Sequence, residues 1–364
     1  MDILEKGRLS ILHGTPGLGN STLARIMAQF KPCTLFYEAE YPELLCFLSP
    51  AAARAFMERR HRMDPLLLGG EMDRQGVEMV CYGEEQYPSW LTCIHNPPQL
   101  LYYRGRIELA QGSCMAIVGS RTATQYGRKI ARDFAAQLAG RGLVIVSGLA
   151  RGIDSQAHQG ALEAGGDTIS VLGSGINVVY PRENTNLYNE ICRQGLMISE
   201  FPWQTPPLPN HFPMRNRIIS GLSLGVLVVE ARLKSGALIT ADFALEQGRE
   251  VFAIPGPISS SNSAGTNHLI QQGAKLITCI EDILEEYYGP APGAAAASII
   301  QPALPMYTEA EKQLMSQMGF DKCHRDDLLR LTGLAPGDLS LALLKLELEG
   351  IVQSLPGNYY VKIG

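Results

Sequence analysis

Several signatures are missing from this 364-residue sequence, and each absence narrows what it can be. No apolar run reaches the ~20 residues that cross a bilayer. The first residues lack the basic, apolar and small-residue order of a secretory leader, so the sequence predicts a cytoplasmic protein without a membrane partner. The eight cysteines, at 33, 46, 81, 93, 114, 192, 279 and 323, form no CxxC pair and no Cys/His cluster at zinc spacing. They read as buried apolar thiols in a reducing compartment, with no metal site. A basic excess is missing too: 31 Lys and Arg stand against 36 Asp and Glu, for a net charge of -5. Residues 1–112 carry 11 basic and 13 acidic groups, 113–288 carry 14 and 15, and 289–364 carry 6 and 8. A protein that coats a polyanion through bulk charge is thereby excluded. Any such ligand must be met by a focused set of arginines and backbone amides.

What is present is an alternation. Short aliphatic runs at 115–118, 143–146, 167–172, 196–200, 225–230, 250–254 and 275–278 nearly all end in Gly, Ser or Pro. Helical stretches at 127–141, 153–164, 186–194, 237–247 and 267–272 lie between them. Continuous apolar strands separated by helices predict an α/β, doubly wound, mostly parallel sheet over 113–288. Residues 1–112 read as a small helical domain with a short extension, including a strand at 100–103. Residues 289–305 (GPAPGAAAASIIQPALP) read as a linker. Residues 306–364 show helices near 308–317, 325–331 and 336–349, then two strands about a Pro356-Gly357-Asn358 turn, which predicts a winged helix. Its candidate recognition helix sets Asp338, Glu347 and Glu349 against Lys345 alone, a poor match to a phosphate-lined groove. An interaction module is expected there.

Four motifs carry candidate chemistry. Residues 13–22 (HGTPGLGNST) have P-loop spacing, but Asn20 stands where the phosphate-binding lysine must be and no strand precedes the loop. ATP is excluded. Pro16-Gly17-Leu18-Gly19 reads instead as a helix–hairpin–helix-like turn, either structural or offering amides to DNA phosphates. The first central strand ends in Gly119-Ser120-Arg121, without the second glycine of a dinucleotide fingerprint. The next strand ends in Ser147-Gly148 rather than an acid, so NAD is not expected. Gly173-Ser174-Gly175, Tyr180-Pro181-Arg182 and Lys234-Ser235-Gly236 follow later strands and converge on the same edge of the sheet. Finally, Phe212, Arg215, Asn216 and Arg217 crowd one Pro-flanked segment. An aromatic beside arginines suits a base-stacking platform; the alternative is a ring capping the core with internal pairs of the Arg215–Glu230 kind.

These segments resemble the DprA/Smf family of DNA-processing proteins: Gly119 to Arg121, Ser147 to Asp154, His211 to Arg217, Lys234 to Thr240, Ala253 to Gly256 and Gly265 to Ala274. The resemblance implies a Rossmann-like domain that binds single-stranded DNA, dimerises and loads the RecA recombinase in natural transformation. It also implies a SAM- or helix–hairpin–helix-like N-terminal part and a winged-helix C-terminal part. It places Arg121 and Arg182 on phosphates, Phe212 against a base, and Leu245, Ile270 and Leu276 at the dimer or RecA surface. The chain departs from it at Pro209, where several relatives carry a lysine. The expected function is a non-enzymatic single-strand mediator needing no cofactor. A nucleotide or phosphoribosyl hydrolase is the alternative. It would need an acid where 235–244 has alanine, leaving Glu200, Glu230 and Asp154 as the carboxylates to follow.

Overall fold

Five helices come first in the computed structural model, which describes residues 1–30, 33–289, 307–318, 322–348 and 351–362. Helix α1 (Ile3–His13) begins where the Asp2 carboxylate accepts the Glu5 amide, the usual remedy for unpaired N–H groups at a helix start. A turn over residues 14–19 leads to α2 (Asn20–Gln29), so the glycine-rich motif does join two helices. Next come α3 (Tyr41–Leu44), α4 (Pro50–Arg62) and α5 (Pro65–Arg74). The last two carry proline in the first turn, where its missing N–H breaks no helical bond. Phe30, Phe36, Phe47 and Phe56 gather at their centre. The buried Lys6 ammonium reaches Asp73 at 3.2 Å and Glu78 at 2.7 Å, tying α1 to α5 and to the start of the sheet.

The sheet starts earlier than the sequence suggested. Strands β1 (Glu78–Cys81) and β2 (Leu100–Gly105) pair antiparallel with each other, and β2 pairs antiparallel with a central strand. The boundary expected at 112/113 is therefore crossed by the sheet itself. β2 matches the strand expected at 100–103, whereas β1, a four-residue antiparallel edge strand outside the strand–helix alternation, was not expected. Then follow β3 (Cys114–Val118), α6 (Gln125–Gly140), β4 (Val144–Ser147), α7 (Ile153–Glu163), β5 (Thr168–Leu172), α8 (Thr185–Gln194) and β6 (Leu196–Ser199). After these come α9 (His211–Leu222), β7 (Gly225–Val228), α10 (Gly236–Glu246), β8 (Glu250–Ala253), α11 (Ala264–Gln271), β9 (Lys275–Leu276) and α12 (Glu281–Tyr288). The strand order is β1-β2-β6-β5-β4-β3-β7-β8-β9, parallel from β6 to β9.

Side chains alternate across the sheet, as a pleat requires. Cys114, Ala116 and Val118 join the core beneath α9 and α10, while Met115 and Ile117 join that beneath α6, α7 and α12. The chain winds outward from β3 in one direction and then returns to β7 on its other side. The carboxyl ends of β3 and β7 thus open at the switch point where doubly wound sheets bind ligands. Glu230, just past β7, clasps this opening. Its carboxylate accepts the Thr124 amide at 2.9 Å and the Thr124 hydroxyl at 2.5 Å, and its carbonyl accepts the Ser120 amide at 2.7 Å. Thr124 in turn caps α6.

The C-terminal unit, described by itself, contains α13 (Glu309–Gln317), β10 (Cys323–His324), α14 (Arg325–Thr332), α15 (Pro336–Leu348), β11 (Val352–Leu355) and β12 (Tyr359–Lys362). Its sheet order is β10-β12-β11 around a core of Leu314, Leu328, Leu339, Leu343 and Val352. This is the winged helix expected. Lys345, the lone cation foreseen on α15, pairs with Glu311 at 3.0 Å. The expected linker lies outside the described residues beyond Gly289. The cysteines correct another expectation: Cys81 and Cys114 are buried, but Cys46, Cys93 and Cys279 are exposed.

Replacing Glu230 by alanine removes the buried carboxylate that accepts both the amide and the hydroxyl of Thr124. Urea unfolding is expected to show a loss of about 1–3 kcal/mol; an unchanged midpoint would mean the clasp does not hold the strand ends together.

Candidate nucleic-acid interface

A cleft of about 540 Å³ opens at the switch point, between the ends of β3 and β7 and the first turns of α9 and α10. Its floor contains a buried cation. Arg215 is only 3% exposed. Its Nη1 donates to the Gly148 carbonyl at 3.0 Å and to the Val171 carbonyl, and its Nε donates to Asn216 Oδ1 at 3.3 Å. A β-carbon at position 148 would sit 2.4 Å from the guanidinium, so only glycine fits the strand end. Burial lowers the guanidinium to about 10, against the opposing pull of Asp154, and the nearby Arg121 charge lowers it further. It remains a cation at neutral pH.

One helical turn before Arg215, and on the same face, Phe212 stands half-buried in the cleft wall. The Arg121 guanidinium lies over its ring at 5.1 Å from the centroid, a favourable cation–π distance. Tyr180 approaches the same ring at 5.5 Å. Arg121, Arg232 and Lys234 are exposed around the opening. Asn216 Nδ2 donates to the Gly236 carbonyl at 3.1 Å, which brings α9 against the start of α10. There Ser235 Oγ accepts the Ala237 amide at 3.3 Å, and the positive end of the helix dipole faces the cleft. The site can therefore hold more than one phosphate and a flat apolar ring together.

Most candidates from the sequence meet here: Gly119, Ser120, Arg121, Phe212, Arg215, Asn216, Lys234, Ser235 and Gly236 all line the cleft. Gly148 borders an adjoining recess with Arg121, Tyr180 and Phe212. Three candidates do not join them. Ser147 is fully buried, and its hydroxyl donates to the Ile117 carbonyl at 2.6 Å. Arg182 is exposed on the turn after Tyr180 and outside the lining. Arg217 points away into the molecule and pairs with Glu200, both side chains nearly buried. Two arginines two residues apart on α9 leave in different directions, and both turn inward. An internal arginine–carboxylate pair exists, but as Arg217–Glu200; Arg215 and Glu230 do not pair, since Arg215 donates to carbonyls and Glu230 accepts from Thr124.

Sequence reasoning passed over Tyr180 and Arg232. Tyr180 stood in the quoted Tyr180-Pro181-Arg182, where the arginine drew the assignment. Arg232, whose Nε donates to Asn262 Oδ1 at 3.0 Å, lies two residues before Lys234 and could have been read with it. The three carboxylates followed from the sequence have structural tasks. Glu230 clasps α6, Glu200 holds Arg217, and Asp154 accepts the Ala150 amide at 3.4 Å. Burial pushes the Asp154 and Glu200 carboxyls up, opposed by the charges of Arg215 and Arg217 respectively. Among the described residues no His, Cys, Asp and Glu cluster could hold a metal. Leu245 on α10, Ile270 on α11 and Leu276 on the edge strand β9 lie away from the cleft lining, with Leu245 and Leu276 exposed and Ile270 partly so.

The sequence pattern of the family described as DNA recombination-mediator protein A matches residues 78–288, from the first strand to the last helix of the sheet domain. The chain belongs to this family. The DprA winged helix domain matches residues 290–358. Protein Smf of Escherichia coli is 43% identical over 292 residues, covering 79% of this chain and 78% of that protein. The DNA processing protein DprA of Bacillus subtilis is 44% identical over 240 residues, covering 66% and 80%. Among solved structures, Streptococcus pneumoniae DprA superposes with a TM-score of 0.68 at 39% identity, over 77% of this chain and 97% of that one. Helicobacter pylori DprA, described for its single-stranded DNA binding mode, gives a TM-score of 0.53 at 31% identity, over 58% and 94%.

The two outward and inward arginines should behave oppositely in denaturation. Arg217→Ala strands the buried Glu200 carboxylate and is expected to lose about 3–5 kcal/mol. Arg121→Ala, at an exposed position, should stay within about 0.5 kcal/mol of the parent. Equal stabilities would contradict the internal role of Arg217.

Proposed function

We propose that the chain binds single-stranded DNA in the switch-point cleft and, as a non-catalytic mediator, passes that strand to the RecA recombinase during natural transformation. The observation that carries this is the Phe212 ring in the cleft wall, with the Arg121 guanidinium over its face, Tyr180 tilted against it and the buried Arg215 cation in the same lining. A site for a lone phosphate needs no ring, and a duplex keeps its bases stacked on one another. A single strand offers a phosphate and an unstacked base side by side, and base–aromatic stacking tolerates any sequence. The single-strand binding described for the Helicobacter pylori relative and the family's description as a recombination mediator support the reading.

Few cations are used. Arg121, Arg232 and Lys234 at the rim and Arg215 below them suit a short stretch of backbone held at several points. In the proposal the exposed Leu245 and Leu276, with Ile270, form the surface where a second copy or RecA docks. Two clefts in a dimer would raise the affinity for long strands through effective concentration. The winged helix, whose α15 lysine is already paired with Glu311, serves as an interaction module. The protein works in the cytoplasm.

The test is fluorescence anisotropy of labelled oligo-dT and of a duplex, with the same samples run by size exclusion with light scattering. The parent should form a dimer and prefer the single strand. Arg121→Ala and Phe212→Ala should each weaken oligo-dT binding about 5- to 100-fold, as loss of one stacking or charge contact of about 1–3 kcal/mol implies. Unchanged affinity in both would remove the cleft from the DNA path.

A further inference from the structure

The glycine-rich turn between α1 and α2 plays no part in the switch-point cleft, yet it borders a second cavity. About 330 Å³ of space lies between α1, the end of α4 and the loop that follows β6, walled in part by Ser10, Gly14, Arg59, Trp203, Gln204 and Thr205. No Asp or Glu is among its lining residues. The neighbouring cations of α4 are engaged: Arg60 donates to the Tyr37 and Ala39 carbonyls, and Arg62 pairs with Glu58. Arg59 differs. It makes one long hydrogen bond, from Nε to the Ile11 carbonyl at 3.4 Å, and among the described residues no carboxylate pairs with it. Its Nη2 passes where a β-carbon of Gly14 would stand, 2.6 Å away, so a side chain at 14 would displace it.

Trp203 belongs to the same wall. Trp203 is 9% exposed, and its indole N–H is buried without a hydrogen-bond partner. Buried donors are nearly always satisfied, by protein, water or ligand. The polypeptide around it is held firmly: Gln204 N–H donates to Asn177 Oδ1 at 3.0 Å, and the Thr205 carbonyl accepts the Gly175 amide at 2.9 Å. The lining thus supplies a guanidinium with no carboxylate partner and a tryptophan whose indole N–H is unsatisfied, and it holds no Asp or Glu.

We propose that this cavity is a second anion site, taking a phosphate group through Arg59 and Trp203. A guanidinium fork matches phosphate oxygens, and the volume exceeds what a bare phosphate fills, leaving room for the sugar or base attached to it. That phosphate can come from a small phosphate monoester or from a DNA backbone. The loop that carries Trp203 continues to Pro207 and Pro209 on the cleft wall, so a strand leaving the cleft has a path toward it. The site stands independently of the DNA-binding role proposed for the cleft.

The chain has two tryptophans, so in a Trp90→Phe protein Trp203 alone reports by its emission. Full-length Trp90→Phe protein, with and without Arg121→Ala, is titrated with inorganic phosphate, deoxythymidine 5′-monophosphate and oligo-dT. A saturating change in emission with at least one probe is expected, retained in the Arg121→Ala background and weakened at least tenfold by Arg59→Gln. Saturation by the monophosphate identifies a small ester, and saturation by oligo-dT alone identifies a backbone. No change with any probe, a change that Arg59→Gln leaves intact, or one that Arg121→Ala abolishes overturns the proposal. Calorimetry on Trp203→Phe, which keeps a ring and loses the donor, guards against a folding defect in Arg59→Gln. Several-fold weaker binding supports the site, and unchanged affinity overturns it.

Discussion

A guanidinium buried at the carboxyl edge of a parallel sheet cannot shed its proton at neutral pH, so it must find acceptors. Arg215 finds them in the Gly148 and Val171 carbonyls, where β4 and β5 end. Much of the cleft follows from that requirement. Position 148 must lack a side chain, because a β-carbon would lie 2.4 Å from the guanidinium. The α9 helix is pinned by its second turn to the strand ends, which sets Phe212 one turn earlier at the cleft wall. Asn216, the next residue along, then meets Gly236 and draws the α10 start into place. The ring that Arg121 lies over and Tyr180 tilts against is thus positioned by a charge that never reaches the surface.

Near-neutral composition and a nucleic-acid ligand are compatible under this arrangement. Arg121, Arg232 and Lys234 are gathered at one opening while other cations are neutralised locally, as Arg151 is by Glu183 and Arg132 by Glu163. The helix dipole of α10 adds fixed partial charge at the same place. A cleft walled by low-dielectric protein focuses such a field.

The parallel strands were legible because each is a continuous aliphatic run ended by Gly, Ser or Pro, and β3 to β9 fall within a residue or two of where those runs lie. The glycines and serines after β3 and β7 were legible for the same reason, since strand ends in such a sheet share an edge. β2 was legible as a strand at 100–103, but β1 was obscured by its short antiparallel pairing at the edge of the sheet. α9 was obscured because His211, Phe212, Pro213 and Met214 look like loop, although proline in a first turn is permitted. An arginine's direction is not written in its residue type. Arg121, Arg215 and Arg217 read alike in the sequence, yet one stacks on a ring, one is bedded on carbonyls and one is paired with Glu200. That difference depends on contacts between residues far apart in the chain, which local patterns do not carry.

The central claim is that a few focused cations, and not a basic face, hold the strand. The salt dependence of oligo-dT affinity measures this directly, because each phosphate neutralised on a single strand contributes about -0.7 to the slope of log K against log salt concentration. Three or four contacts at one cleft give an expected slope between about -2 and -3. A slope near zero would contradict phosphate contact altogether, and one steeper than about -6 would require an extended basic surface, at odds with a sequence in which acidic residues outnumber basic ones.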